Sequence, residues 1–260
     1  MKISALRADP SGNITLFVLD MVPAEDRAGI AARLMALPGS DVEQVGFLCP
    51  PLLGGRGRVE MAGGEFCGNA ARAFGMLTAQ RLGGLSQVQV EVSGCGSPVT
   101  VEVNLSAGTA RAQMPLPRAM RPAQAGGHPG TLVDLGGIAH FVVEDVPPSL
   151  EFFEQAELLF ADMPGLEAYG VIFLAPAQAA MTPLVKVPAA GSLVWEGSCG
   201  SGTLAAVLSQ SQNAGDGPFS RSYTQPAGTV DAAVIRQGGK AVSAYIGGPV
   251  HLDPPLEIEI

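Results

Sequence analysis

Apolar and polar residues alternate through Val88-Gln89-Val90-Glu91-Val92 and again through Val99-Thr100-Val101-Glu102-Val103, the period-two pattern of strands with one buried face. Ile14 to Leu19, after the turn Pro10-Ser11-Gly12-Asn13, reads as an earlier strand and Thr109 to Met114 as a later one. Pro23 to Leu37 instead spaces its apolar residues as a helix does. A Gly-rich stretch from Gly54 leads into Phe66-Cys67-Gly68-Asn69. The small residues from Ala70 to Leu82 then predict a helix stopped by Gly83-Gly84.

The same order recurs further on. Thr131 to Leu135 and His140 to Val143 predict strands flanking Gly136-Gly137, Ser149 to Leu159 a helix, and Val171 to Ala175 and Leu184 to Val187 two more strands. Gly197-Ser198-Cys199-Gly200-Ser201-Gly202-Thr203 opens a second small-residue helix over Leu204 to Ser209. Val230 to Arg236 and Ala241 to Ile246 close the half around Gly238-Gly239. We therefore expect two similar α/β domains, 1–118 carrying Cys67 and 119–248 carrying Cys199, with the break in the Pro- and Gly-rich stretch from Pro115 to Gly130. The alternating tail Leu256-Glu257-Ile258-Glu259-Ile260, within 249–260, is expected to add a strand to one of the two domains, a return to the N-terminal one being one of the two options.

Composition narrows the function. With 260 residues and 47% hydrophobic content, the chain can bury a sizeable core, while 34 Gly, 21 Pro and only 5% aromatics favour many strands and turns over a helical bundle. A formal net charge of −9 and 15 scattered Lys and Arg argue against nucleic acid, which needs clustered cations. The N-terminus lacks a signal-peptide pattern, and no apolar run is long enough to span a membrane, so a soluble cytoplasmic protein is expected. Four cysteines (Cys49, Cys67, Cys95, Cys199) without a Cys-x-x-Cys pair, and histidines far from them in sequence, predict neither a disulfide framework nor a metal site.

Cys67-Gly68-Asn69-Ala70-Ala71 and Cys199-Gly200-Ser201-Gly202-Thr203 carry the chemistry. Each cysteine sits where a loop becomes a helix, beside N–H groups that have no intrahelical partner and carry positive potential. Such a position favours the thiolate, lowers its pKa and makes it a usable base, and the same N–H groups can hold a carboxylate. Gly68 and Gly200 remove the Cβ that would keep a ligand away. Two such helix starts facing each other would hold an amino acid with sulfur on both sides of its α-carbon. One thiolate could then take the α-proton while the other thiol returns a proton to the opposite face.

Met61-Ala62-Gly63-Gly64-Glu65-Phe66-Cys67-Gly68-Asn69-Ala70-Ala71-Arg72 and Glu196-Gly197-Ser198-Cys199-Gly200-Ser201-Gly202-Thr203 resemble the two active-site motifs of the diaminopimelate epimerase and proline racemase superfamily. The resemblance is specific at these motifs and at Ser11-Gly12-Asn13. It implies an α/β (α+β) diaminopimelate epimerase-like fold, with two similar β-wrapped-helix domains related by pseudo-twofold symmetry. It also implies two-base chemistry without pyridoxal phosphate or any other cofactor, on a small-molecule amino-acid substrate, with a homodimer as the assembly to be considered. Carried over by motif, Cys67 and Cys199 are the acid/base pair, and Gly68, Asn69, Gly200 and Ser201 contact the substrate's carboxylate and amine. Asn13 reaches in from the first turn.

His140 stands where the family's epimerases carry an Asn-Pro-His segment, though the Asn and Pro are missing; a histidine there could tune a thiol or hold the substrate amine. Glu196 and Glu65 precede the two cysteines, and either carboxylate suits an α-ammonium or a cationic side chain. Cys49 and Cys95 read as structural, and His128 and His251 as exposed. Diaminopimelate epimerases follow the glutamate with an arginine that grips the distal carboxylate; here Trp195-Glu196-Gly197 has none, which disfavours a dicarboxylic substrate. The wording of both motifs is most similar to the histidine racemases. Diaminopimelate epimerase and proline or hydroxyproline racemase are the enzyme alternatives, and a thiol redox protein or a non-catalytic binding module those of another class. A pyridoxal phosphate enzyme is disfavoured, because Lys2, Lys186 and Lys240 lie outside any phosphate cradle.

Overall fold

The computed structural model describes residues 1–260, the side chain of Ala190 excepted. The chain divides into two compact units, 1–113 with 247–260, and 114–246. In the first, Lys2–Asp9 pairs antiparallel with Thr15–Val18 and, along its other edge, with His251–Leu252 and Leu256–Glu259. Thr15–Val18 runs parallel to Gln44–Cys49, which pairs antiparallel with Arg58–Met61, which in turn runs parallel to Gln87–Val92. Val99–Asn104 and Thr109–Gln113 complete an antiparallel meander.

Two helices serve this unit differently. Helix α1 (Ala24–Met35) is amphipathic and buries Ile30, Ala31 and Leu34 against Leu16, Val18, Val45 and Phe47. Helix α2 (Gly68–Arg81) is buried all round from Gly68 to Ala79, with Phe74, Met76 and Leu77 packed on Val88, Val90, Val101 and Ala112. Its small residues are what let strands wrap it so closely. A Cβ on Gly75 would lie 2.5 Å from Cγ1 of Val101, so any larger residue there would push the helix off the sheet.

The second unit begins with the hairpin Ala119–Ala125 and His128–Asp134, so the Pro- and Gly-rich stretch is folded strand and turn. His128–Asp134 pairs antiparallel with Ile138–Glu144, which runs parallel to Ala168–Ala175. Ala180–Val187 and Ser192–Trp195 follow antiparallel, and Gly217–Gln225 pairs with Gly228–Gln237. Helix α3 (Leu150–Glu157), capped by the Ser149 hydroxyl, packs Phe152 and Phe153 on Phe141, Val171 and Phe173. Helix α4 (Gly200–Ser211) is the counterpart of α2, with Leu204 to Leu208 all buried. No helix among the described residues is long and apolar enough to cross a membrane.

Candidate active site

The two cysteines occupy the same local position. Cys67 is the N-cap of α2 with φ −120° and ψ 114°, and Cys199 is the N-cap of α4 with φ −116° and ψ 107°. In each, sulfur accepts from a backbone N–H three residues on, where Ser or Asp oxygen ordinarily serves. Ala70 N–H donates to Cys67 Sγ at 3.4 Å and Gly202 N–H to Cys199 Sγ at 3.3 Å. The glycine at 202 has a local cause. A Cβ there would sit 3.0 Å from Cys199 Sγ and 2.5 Å from Ile172 Cδ1, displacing the sulfur from its cap.

Around Cys67 the neighbours are amides. Gln44 Nε2 lies 3.3 Å from Sγ and is shared with Asn13 Oδ1 at 2.6 Å and Thr15 Oγ1 at 2.8 Å. Asn13 Nδ2 in turn donates to Glu43 at 2.7 Å. The expected residue Asn13 is therefore beside the thiol, with its amide tied to Gln44 and Glu43. Glu65, two residues before Cys67, is exposed, while Gly68 and Asn69 are buried in the first turn.

Arg72 fixes this corner. Fully buried, it donates to Asn69 Oδ1 at 3.2 Å, Pro10 O at 2.7 Å, Ser11 Oγ at 3.0 Å and Pro249 O at 3.1 Å. It thereby orients the Asn69 amide and the turn that carries Asn13, in which Ser11 takes φ 63° and Gly12 φ 88°. A left-handed Ser is strained on its own, and its hydroxyl's bonds to Arg72 and Pro249 O hold it there.

Around Cys199 the neighbours are a carboxylate and hydroxyls. Ser201 Oγ is 3.5 Å from Cys199 Sγ and 2.9 Å from His140 Nε2. The Glu196 carboxylate is a hydrogen-bond partner of the thiol and raises its pKa. Gln225 Oε1 accepts from Cys199 N–H at 2.7 Å, and Gln225 Nε2 donates to Thr203 Oγ1, which donates to Cys199 O at 2.6 Å. The structure thus gathers Cys199, Gly200, Ser201, His140 and Glu196. His140, distant in sequence from every cysteine, reaches one through a single serine. Its ring is fully buried and touches Ser201, so its route to the chemistry runs through that hydroxyl.

The thiols depart from the expectation of a lowered pKa. Burial and, more weakly, the Glu65 carboxylate raise Cys67, against the N–H groups of Ala70 and Asn69 and the Gln44 amide, which act to lower it. Burial and then the Glu196 carboxylate carry Cys199 well above the ordinary thiol value, against Ser201 and Gly202. The helix-start effect operates as expected, and desolvation outweighs it. Burial lowers His140 to about 3, so its imidazole is neutral near pH 7. Cys49 and Cys95 are half-buried, without a helix start, with Arg27 and Glu60 acting on Cys49, and His128 and His251 are exposed. Among the described residues no three His, Cys, Asp or Glu side chains form a group able to hold a metal.

Sequence reasoning missed Gln44, Thr15, Arg72 and Gln225. Only Arg72 left a local signal, since it lies inside the first cysteine motif on the helix that Cys67 caps.

Comparison with known proteins follows the same lines. A family model described as the histidine racemase CntK N-terminal domain matches residues 2–253. The chain is 28% identical over 232 residues to a histidine racemase of Staphylococcus aureus (strain Mu50), covering 85% of each. It is 30% identical over 212 residues to a histidine racemase of Fusobacterium nucleatum, covering 77% of each. Among solved structures, a phenazine biosynthesis protein of the PhzF family from Bacillus anthracis matches with a TM-score of 0.72 at 14% identity, covering 100% of both chains, a likeness of fold alone.

Proposed function

The chain belongs to the histidine racemase family, and from that premise we propose that it inverts the α-carbon of free histidine, Cys67 and Cys199 acting on the two faces without pyridoxal phosphate. Its diaminopimelate epimerase-like fold is the one that the cysteine motifs implied. In this reading one sulfur, as thiolate, takes the α-proton, and the other, as thiol, delivers a proton to the opposite face. Reaction in the reverse direction exchanges the two roles.

The substrate's α-proton is weakly acidic, and no electron sink is at hand. N–H groups at the starts of α2 and α4 would hold the carboxylate and the charge that develops on it, and the chemistry calls for water to be excluded around them. Asn69, oriented by Arg72, would bind alongside Gly68, while Gly200 and Ser201 would do so from α4. Glu196, and Glu65 at the rim, would take the α-ammonium or the imidazole, whose protonated form a carboxylate suits. The strongest support is the duplicated cap: two cysteines with nearly identical backbone angles, each accepting from the N–H three residues on.

The acidic net charge and cations scattered along the sequence suit a cytoplasmic protein that handles small metabolites, and a homodimer is the assembly to test by elution volume or light scattering. The decisive experiment is a chiral assay across histidine, proline, lysine, arginine and diaminopimelate. Racemisation of histidine above the others is expected. No turnover of histidine would remove the substrate assignment, and no turnover of any would remove the racemase reading for this panel.

A further inference from the structure

A racemase that works through two thiols needs each sulfur as thiol in one direction and as thiolate in the other. Cys199 is poorly placed for the second duty. It is 4% exposed and lies against the Glu196 carboxylate, both of which oppose a negative sulfur. The other groups around it are the neutral Ser201 hydroxyl and Gly202 N–H from α4 and Gln225 from the strand Gly217–Gln225, with apolar Ile172 and Met181 against Gly202. Only Ser201 among these side chains can turn a proton toward Sγ, and a free hydroxyl rotor could equally well turn away.

We propose that His140 is a positioning residue that, through Ser201, fixes the hydrogen-bond donor Cys199 needs in its thiolate form. The argument starts from the far side of the ring. His140 Nδ1 is buried and has no hydrogen-bond partner among the described residues. A buried N–H without an acceptor is costlier and rarer than a bare acceptor lone pair, so the proton belongs on Nε2. Nε2–H then donates to Ser201 Oγ across 2.9 Å, which occupies the oxygen as acceptor and leaves its own hydrogen to be donated. Cys199 Sγ lies 3.5 Å away to receive it. A protonated imidazole would disturb this order by putting a second donor on Nδ1, and complete burial keeps the ring neutral. Glu196 and the His140–Ser201 pair thus pull in opposite directions: one accepts S–H when Cys199 is the acid, the other donates O–H when it is the base.

This inference rests on the racemase reading for its purpose, but its test needs no turnover. The alkylation rate of Cys199 by iodoacetamide, followed by peptide mass spectrometry across pH, reads the thiol's pKa directly. In His140→Phe and in Ser201→Ala the profile should move up by about one unit, a roughly tenfold slower alkylation at fixed pH below the pKa. The double variant should add little, because both changes break one chain. His140→Gln, whose amide can still donate to Ser201, should recover much of the shift, whereas a merely structural histidine would not be rescued this way. Nitrogen NMR of the unaltered protein supplies the reading that folding defects cannot spoil, and should show the His140 proton on Nε2. An Nδ1–H tautomer, or an alkylation profile unchanged in the folded Ser201→Ala variant, would overturn the proposal and leave the racemase assignment standing.

Discussion

Cys67 and Cys199 share a backbone and differ in company. Both cap a small-residue helix with nearly the same φ and ψ. Cys67 is half-buried, with neutral groups as its hydrogen-bond partners, the Gln44 amide 3.3 Å from sulfur, and the Glu65 carboxylate acting on it from further off. Cys199 is closed off and faces Glu196, with Ser201 as its side-chain donor. Burial raises both thiols and a carboxylate adds to it at each, but at Cys199 Glu196 comes next after desolvation, whereas at Cys67 the Ala70 N–H and the Gln44 amide come before Glu65 and act to lower the pKa. The difference teaches that a helix start provides only the frame. Which sulfur gives up its proton first is decided by the surroundings of that frame, and these favour Cys67.

The largest effects come from removing either sulfur. Cys67→Ala and Cys199→Ala should each lower histidine racemisation by about 10²–10⁴-fold, the range for losing a positioned acid or base. A variant that kept full turnover would end the two-thiol account. Next is Glu196→Gln. Loss of the carboxylate lowers the Cys199 pKa, so its alkylation near neutral pH should speed up about tenfold, while Cys67 is left almost unchanged. No acceleration would mean that Glu196 does not govern this sulfur.

Gln44→Leu sharpens the comparison from the other side. Removing a neutral donor worth about 1 kcal/mol should raise the Cys67 pKa and slow its alkylation several-fold. In the unaltered protein both thiols have raised pKa values, so each thiolate grows in only as pH rises past the ordinary thiol range. Alkylation of both should therefore lag a free cysteine at neutral pH, and Cys67 should react before Cys199 as pH increases. Preferential labelling of Cys199 would reverse the assignment.

Much of the frame was legible in the sequence, because it depends on local rules. Strict alternation announced Gln87–Val92 and Val99–Asn104, and small residues bounded by Cys-Gly and Gly83-Gly84 announced α2. Lys2–Asp9 was not read as a strand, since it is covered along both edges and buries Ala5 and Leu6 on successive positions, which blurs the alternation. Ala119–Ala125 was hidden by Pro122 and the neighbouring glycines.

The site divided in the same way. Ser201 and Glu196 belong to the same local motif as Cys199, so their closeness to that sulfur could be read. Gln44 could not, because nothing near Val42-Glu43-Gln44-Val45 signals that its side chain meets the sulfur that caps α2. The pKa direction failed for a related reason. Helix-start potential is written in the local sequence, whereas desolvation is a property of the assembled core.

The central claim is that two different groups handle the proton on the two faces of one carbon, and deuterium labelling tests it most directly. Protiated L-histidine converted in D₂O and sampled early should give D-histidine carrying deuterium at the α-carbon, while the remaining L-histidine is still unlabelled. Early D-histidine that retains its protium would mean that a single group takes the proton and returns it, and would contradict the two-thiol account.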